Sequence, residues 1–225
     1  MEPIKPTTRT QVSRHRERGD YDRSLIYSVL DEALICHVGF VVDQQPVVIP
    51  TIHARIDDRL YIHGAVANRM LKTLRTGVQA CVTVTIVDGL VLARSAFHHS
   101  MNYRSVMIFG TATETTDLDE KRRAFEAIVE HVCAGRSKDV RAPDDNETRA
   151  TLIMSLRIVE ASAKVRTGPP IDAERDYSLP CWAGVLPLKI QPQAPIPDAR
   201  LAKDTPVPTN ITSYVRGVNA DLKDA

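Results

Sequence analysis

Asn68 and Arg69 are the residues best placed to do chemistry, because of what surrounds them. Gly64-Ala65-Val66-Ala67 keeps the backbone approachable, and Met70, Leu71 and Leu74 then open a helical stripe. Free backbone N–H groups at a helix start, beside an arginine, make a seat for a phosphate. The plainer alternative is a solvated arginine, or one paired at the surface with Asp57 or Asp58 and contributing little. Other candidates are thinner. His53, His63, His98 and His99 show no HExxH or HxxxH spacing and no carboxylate at helical distance, which argues against zinc. Ser95, Ser100 and Ser105 sit in no G-x-S-x-G elbow. Asp117, Asp119 and Glu120 belong to a helix start, where the macrodipole favours them without catalysis. A chain this poor in acid–base machinery either binds passively or relies on a cofactor.

The elements that must position these residues follow from periodicity and turn chemistry. Val47 to Pro50 is apolar, and Pro50 points to an edge or a bulge. Ile52, Ala54 and Ile56 alternate with polar residues, Asp57-Asp58 turns the chain, and Arg59 to His63 returns as partner strand. Upstream, Ser24 is the expected cap of a helix through Ala33, and Leu34 to Val42 reads as a strand turned by Asp43-Gln44-Gln45. Downstream, a helix over 67–75 ends at Gly77, and Val78 to Val87 alternates as a strand. Asp88-Gly89 predicts a tight hairpin with Leu90 to Arg94 returning. Tyr103 to Glu114 is another strand with a bulge at Gly110. Asp117 caps a helix bearing Phe125, Ile128, Val129 and Val132, residues 135–147 read as a charged loop, and Leu152 to Lys164 is one last long strand. Short strands joined by hairpins, with no GxGxxG or P-loop, predict an antiparallel barrel rather than a Rossmann sheet.

Composition sets the class. The 225 residues are 43% hydrophobic with a net charge of +1, which fits a globular chain and gives no basic footprint for nucleic acid. Residues 1–22 mix arginines with acids and read as a solvated lead-in. They contain no apolar run of a secretory signal, and no stretch approaches the ~18 apolar residues of a membrane span. Cys36, Cys81, Cys133 and Cys181 form no CxxC pair. Buried, reduced thiols are expected, and with them a cytoplasmic setting. Asn146-Glu147-Thr148 and Asn210-Ile211-Thr212 match the glycosylation sequon, which such a setting leaves inert. Residues 191–225 are proline-rich and read as an extended C-terminal extension to a domain over 23–190.

Three stretches in this order, YIHGAVANRMLKTL, TIVDGLVLARSAFHHSMNYRSVMIFG and SAKVRTGPPIDAERDYSLPCWAGVLPL, resemble the pyridoxamine 5′-phosphate oxidase-related flavoproteins. The likeness is nearest to the FMN-binding split-barrel branch that includes the nitroimidazole-resistance (Nim-type) proteins, and it covers roughly residues 14–190. It implies a six-stranded antiparallel split β-barrel with flanking helices, a homodimer, and FMN at the dimer interface. On this resemblance Asn68 and Arg69 match the phosphate-holding positions, and His63 and Gly64 the strand end beside the phosphate and ribityl chain. Pro50, Thr51 and Ile52 match the strand facing the isoalloxazine ring. Ser105, with Tyr103 and Arg104, matches the interface strand, while Lys164 and Trp182 match positions closing the pocket.

Two departures put pyridoxamine phosphate oxidation itself in doubt. Met70 stands where the oxidases carry a lysine after the phosphate arginine, with Lys72 nearby, and WAGVLPLKI replaces their arginine-containing segment after the tryptophan. The expected activity is thus an FMN-dependent oxidoreductase on an unidentified small molecule. Two alternatives stay open: a non-catalytic flavin-binding or flavin-sequestering protein, and a barrel holding haem, with His98 or His99 as ligand. Trp182, as the one tryptophan, has core packing as its plainer role.

Overall fold

The computed structural model describes residues 2–216; the part of the C-terminal extension beyond them lies outside the described residues. In chain order the strands are β1 (Gly19–Asp20), β2 (Ile35–Val42), β3 (Gln45–Ile56), β4 (Arg59–Ala65), β5 (Gln79–Leu92), β6 (Ser100–Thr111), β7 (Thr113–Glu114), β8 (Thr151–Arg157), β9 (Glu160–Arg166) and β10 (Gly184–Pro187). The helices are α1 (Arg23–Glu32), α2 (Arg69–Arg75), α3 (Leu118–Val132), α4 (Asp145–Ala150) and α5 (Thr209–Thr212). All pairings are antiparallel, in the order β1-β9-β6-β5-β2-β3-β4-β8-β7, with β10 beside β5. None of the described helices is long and apolar enough to cross a membrane.

The expected turns form where the backbone needs left-handed residues. Asp43 and Gln44 have φ of 50° and 60° and join β2 to β3, and Asp57 at 52° joins β3 to β4. Pro50 lies on the part of β3 that pairs with β2 alone, since pairing with β4 begins at His53. The missing N–H of proline is harmless on such an edge.

Several expectations are corrected. Asp88-Gly89 makes no hairpin: β5 runs through it, and the register against β6 shifts between Val87 and Gly89. The bulge is therefore here rather than at Gly110. Gly110 instead lets the sheet close, because a Cβ there would lie 2.8 Å from Leu156 Cδ1. The long strand from Leu152 is divided at Ile158-Val159: β8 pairs with β4, and β9 crosses to pair with β6. Ile158 is fully buried at the break, its N–H donating to Asp58 O at 2.7 Å. That division and the short β1, β7 and β10 account for ten strands among the described residues where six were expected. Asp22, not Ser24, caps α1, accepting from the N–H groups of Ser24 and Leu25. Residues 135–147 are not all loop, since Asp144 and Glu147 form a capping box that starts α4.

The core lies inside the curled sheet, where Val38, Phe40, Ile62, Val82, Ile108 and Met154 meet α1 through Leu30 and α2 through Leu71 and Leu74. A smaller cluster of Tyr61, Ile153 and Ala124 seats α3 on the outside. Of the cysteines, all free, Cys36 is buried as expected while Cys181 is exposed. The lead-in packs onto the barrel: Ile4 is buried, and its N–H donates to Tyr21 O at 2.9 Å.

Candidate functional site

Asn68 ends the β4–α2 loop as the N-cap of α2, its side-chain oxygen accepting from Leu71 N at 3.1 Å. This leaves Arg69 exposed, with no carboxylate in ion-pair range among the described residues. Of the two aspartates that could have held it, Asp58 pairs with Arg157 instead. Arg69, Lys72, Thr73 and Thr76 line one side of a cavity of about 610 Å³, and Val41 and Asp43 line the other. Gly64 faces α2, where a Cβ would lie 3.3 Å from Asn68 Nδ2 and 3.1 Å from Leu71 Cδ1. His63 does not join this cavity. It turns to the opposite face of β4, edge-on to Phe125 of α3, and its Nδ1 is buried without a partner among the described residues. Burial there holds its imidazole below the usual histidine range.

The outer face of the sheet gathers most of the remaining candidates. Alternation turns Pro50 and Ile52 outward, and cross-strand pairing sets Pro50 beside His37, His37 beside Thr83, and Thr83 beside Met107. Thr85 pairs with Ser105, and Ser105 with Lys164. Tyr103, one step along, pairs with Arg166. Thr51 points the other way, paired with the buried Cys36. Ile35, Val41, Val48, Ile52, Val87 and Met107 stand exposed on this face. Apolar side chains gathered on one exposed face are a common feature of interaction surfaces.

Arg104 is on the inner side of β6 and does not reach this face. Its guanidinium is forked between Glu32 and Asp88, at 2.8 Å and 2.7 Å from Nη2, and those carboxylates raise its pKa. Trp182 is neither core nor part of the outer face; it is 69% exposed and packs over Gly184. It belongs with a third region, where the segment after β9 returns against the loop between β5 and β6. Asp172 accepts from Arg94 N at 3.0 Å and Nη1 at 3.1 Å, and Arg94 lies over the Tyr177 ring. The Arg94 guanidinium and the backbone N–H groups of Arg94 and Ser95 outweigh burial and hold the Asp172 carboxyl below its usual range. Phe97 is 90% exposed here, edge-on to His98. His99 Nδ1 lies 2.9 Å from Ser95 O, which fixes the Nδ1–H tautomer and leaves Nε2 free as a lone-pair donor. No cluster of three or more metal-ligating side chains occurs among the described residues.

His37, Thr83, Thr85 and Arg166 were not among the sequence candidates. The alternation of Cys81, Thr83 and Thr85 carried the signal for the threonines, since it turns them to one face. The neighbours that make that face matter are set by strand register, which a single strand does not disclose.

The sequence matches no protein among the curated ones. The family model described as pyridoxamine 5′-phosphate oxidase matches residues 22–165. The fold is similar to the flavocytochrome Anf3 from Azotobacter vinelandii, with 40% identity and a TM-score of 0.88, covering 96% of this chain and 100% of that one. It is also similar to the FAD and haem binding protein from Mycobacterium smegmatis, with 36% identity and a TM-score of 0.83, over 87% of this chain and 96% of that one. The mainly antiparallel sheet thus matches, over nearly its whole length, structures to which the sequence is also related, and the chain belongs to the pyridoxamine 5′-phosphate oxidase family.

Proposed function

We propose that the protein is a redox protein of the flavocytochrome type, carrying a flavin on the outer face of its sheet and a haem beside the loop between β5 and β6. The observation that carries this reading is the similarity, over 96% and 87% of the chain, to a flavocytochrome and to an FAD and haem binding protein. That similarity favours the haem alternative over a flavin-only oxidoreductase. It also favours FAD over the FMN suggested by the family likeness, because FAD is the flavin of the M. smegmatis protein.

The residues present fit both groups. For a flavin, Arg69 offers a guanidinium beside Lys72 with no carboxylate partner among the described residues, suited to a phosphate. Pro50 and Ile52 offer a flat apolar strand face to a ring, and the exposed face around them is where a second copy would complete a homodimer. For haem, His99 offers a ring nitrogen whose tautomer is fixed by Ser95 O, and exposed Phe97, Trp182 and Leu186 lie in the same region. When bound, the flavin supplies two-electron and one-electron redox chemistry and the haem one-electron or O₂ chemistry. The chain's own part is to bind and orient: Arg69 would anchor phosphate, Pro50 and Ile52 would face the ring, and His99 would present Nε2.

An absorption spectrum, with mass spectrometry of the released cofactors, tests this on wild type, Arg69→Ala and His99→Ala. Wild type should show flavin bands and a Soret band and release FAD. Arg69→Ala should lose flavin and keep the Soret band, and His99→Ala the reverse. A wild type that takes up neither group when both are supplied would overturn the reading. A yellow protein without haem that no reductant bleaches would favour the sequestering alternative.

A further inference from the structure

The N-terminal segment Thr10–Arg14 lies across β5, β6 and β9 and roofs a cleft of about 450 Å³. The roof is braced from within. Tyr21 Oη accepts from Val12 N at 3.0 Å and donates to Thr10 O at 3.2 Å, and Thr7 N donates to Thr10 Oγ1 at 2.9 Å. The floor presents the hydroxyls of Thr83, Thr85, Ser105 and Ser162 together with the Lys164 ammonium, and Arg14 stands at the rim. Among the described residues, no acidic side chain lines it. The Arg9 charge is answered by Glu160, but Arg14 and Lys164 have no carboxylate in ion-pair range among the described residues.

Next along the same face of β9, Arg166 is 7% exposed and, among the described residues, donates only to neutral oxygens: Asn102 Oδ1, Gly168 O at 3.3 Å and Pro169 O at 3.2 Å. A buried cation without a counter-charge is costly, and an anion bound nearby offsets that cost. Cations, hydroxyls and an absence of acids together describe a phosphate-binding surface. The cleft shares no lining residue with the Arg69 cavity, so one phosphate cannot occupy both. Thr83 nevertheless lies in the same cross-strand row as Pro50, two strands away, which is about 10 Å at the usual strand spacing.

We infer that this cleft is a second phosphate site, which takes the adenosine diphosphate group of a nucleotide. Where that group belongs to FAD the inference rests on the flavin reading above; where it belongs to a separate nucleotide it stands without it.

The test compares as-purified wild type, Arg14→Met/Lys164→Met and Lys164→Arg. The ratio of FAD to FMN released is read by mass spectrometry, and ADP binding by calorimetry, with thermal unfolding confirming that each variant is folded. Loss of FAD relative to FMN in the double variant, with Lys164→Arg retaining it, places the adenylate half of the flavin in the cleft. An unchanged flavin ratio with ADP binding to wild type weakened about tenfold or more in the double variant assigns the cleft to a separate nucleotide. If folded double variant keeps both the wild-type flavin ratio and the wild-type response to ADP, the inference is overturned. A wild type without flavin that still binds ADP through Lys164 would overturn the flavin reading and leave the cleft assignment standing.

Discussion

Arg104 holds Glu32 in a two-point fork, with Nη1 2.5 Å from Oε2 and Nη2 2.8 Å from Oε1, while Nε reaches Asp88 Oδ2 at 2.9 Å. One side chain of β6 thereby ties the last residue of α1 to the bulge of β5. The three side chains are 14%, 17% and 24% exposed, so solvent screens them only in part. Truncating one partner of such a cluster strands the others with unpaired charge. Arg104→Met should lower stability by about 2–3 kcal/mol, a value reduced from the fully buried case for the residual exposure. Urea unfolding measures this, and adding Glu32→Gln and Asp88→Asn should recover part of the loss. Flavin content per folded molecule should not change, and a selective loss of flavin would return Arg104 to the binding site.

Gly110 is the second point at which the barrel depends on one residue. A Cβ there would meet Leu156 Cδ1 at 2.8 Å, and Leu156 is itself buried. Gly110→Ala therefore overpacks the junction of β6 with β8 and should cost about 1–2 kcal/mol. Shortening the opposing side chain in Gly110→Ala/Leu156→Val should restore some of it. Additive losses in the double variant would show that the two residues do not compete for this space.

The sequence was informative where the signal was local. The turns at Asp43-Gln44 and Asp57-Asp58, the cap at Asp117 and the edge position of Pro50 each depend on a few neighbouring residues. It misled where two structures share one local pattern. Asp88-Gly89 suits a hairpin turn and a bulge equally, and pairing with β6 on both sides of the dipeptide decides for the bulge. The division at Ile158 is invisible in LIMSLRIVEASAK, because both halves alternate well and only their different partners part them. At the candidate site, the position of Arg69 at the start of α2 was legible from the local pattern. The role of Arg104 was not, since it is set by Glu32, 72 residues away in the chain.

A histidine pair under α1 and α3 gives a pH-dependent stability. The His53 and His131 rings lie 4.6 Å apart, His53 Nε2–H donates to Leu30 O at 2.9 Å, and His131 Nε2 lies 2.8 Å from Ala33 O and 3.1 Å from Arg216 Nη2. Burial first, then the charges of His53 and Arg216, pushes His131 down to about 4, and burial lowers His53 as well. The fold thus disfavours protonating either imidazole. The unfolded chain, titrating near 6.5, binds more protons than the folded one between that pH and about 4. Stability is fully present above pH ~6.5 and is lost as the pH falls through this window. His131→Gln should flatten the slope of urea midpoint against pH there, and a slope equal to that of wild type would exclude His131 as its source.

Substitutions of Asn68 separate its helix-capping role from the phosphate binding proposed above. Its Oδ1 caps α2, and it stands next to Arg69 at the mouth of the cavity proposed for the flavin phosphate. Asn68→Asp keeps the acceptor and places a negative charge at a helix start, where it should be neutral or stabilising by ~0.3–1 kcal/mol. The same charge repels a phosphate dianion. The variant should therefore melt no lower than wild type yet retain at least about tenfold less flavin, a change of ~1.4 kcal/mol in binding. Asn68→Ser, which keeps a neutral cap, should retain flavin. Thermal unfolding and flavin absorbance on the same samples measure both effects. If Asn68→Asp holds flavin as tightly as wild type does, Asn68 acts only as a helix cap and the phosphate seat lies outside its reach.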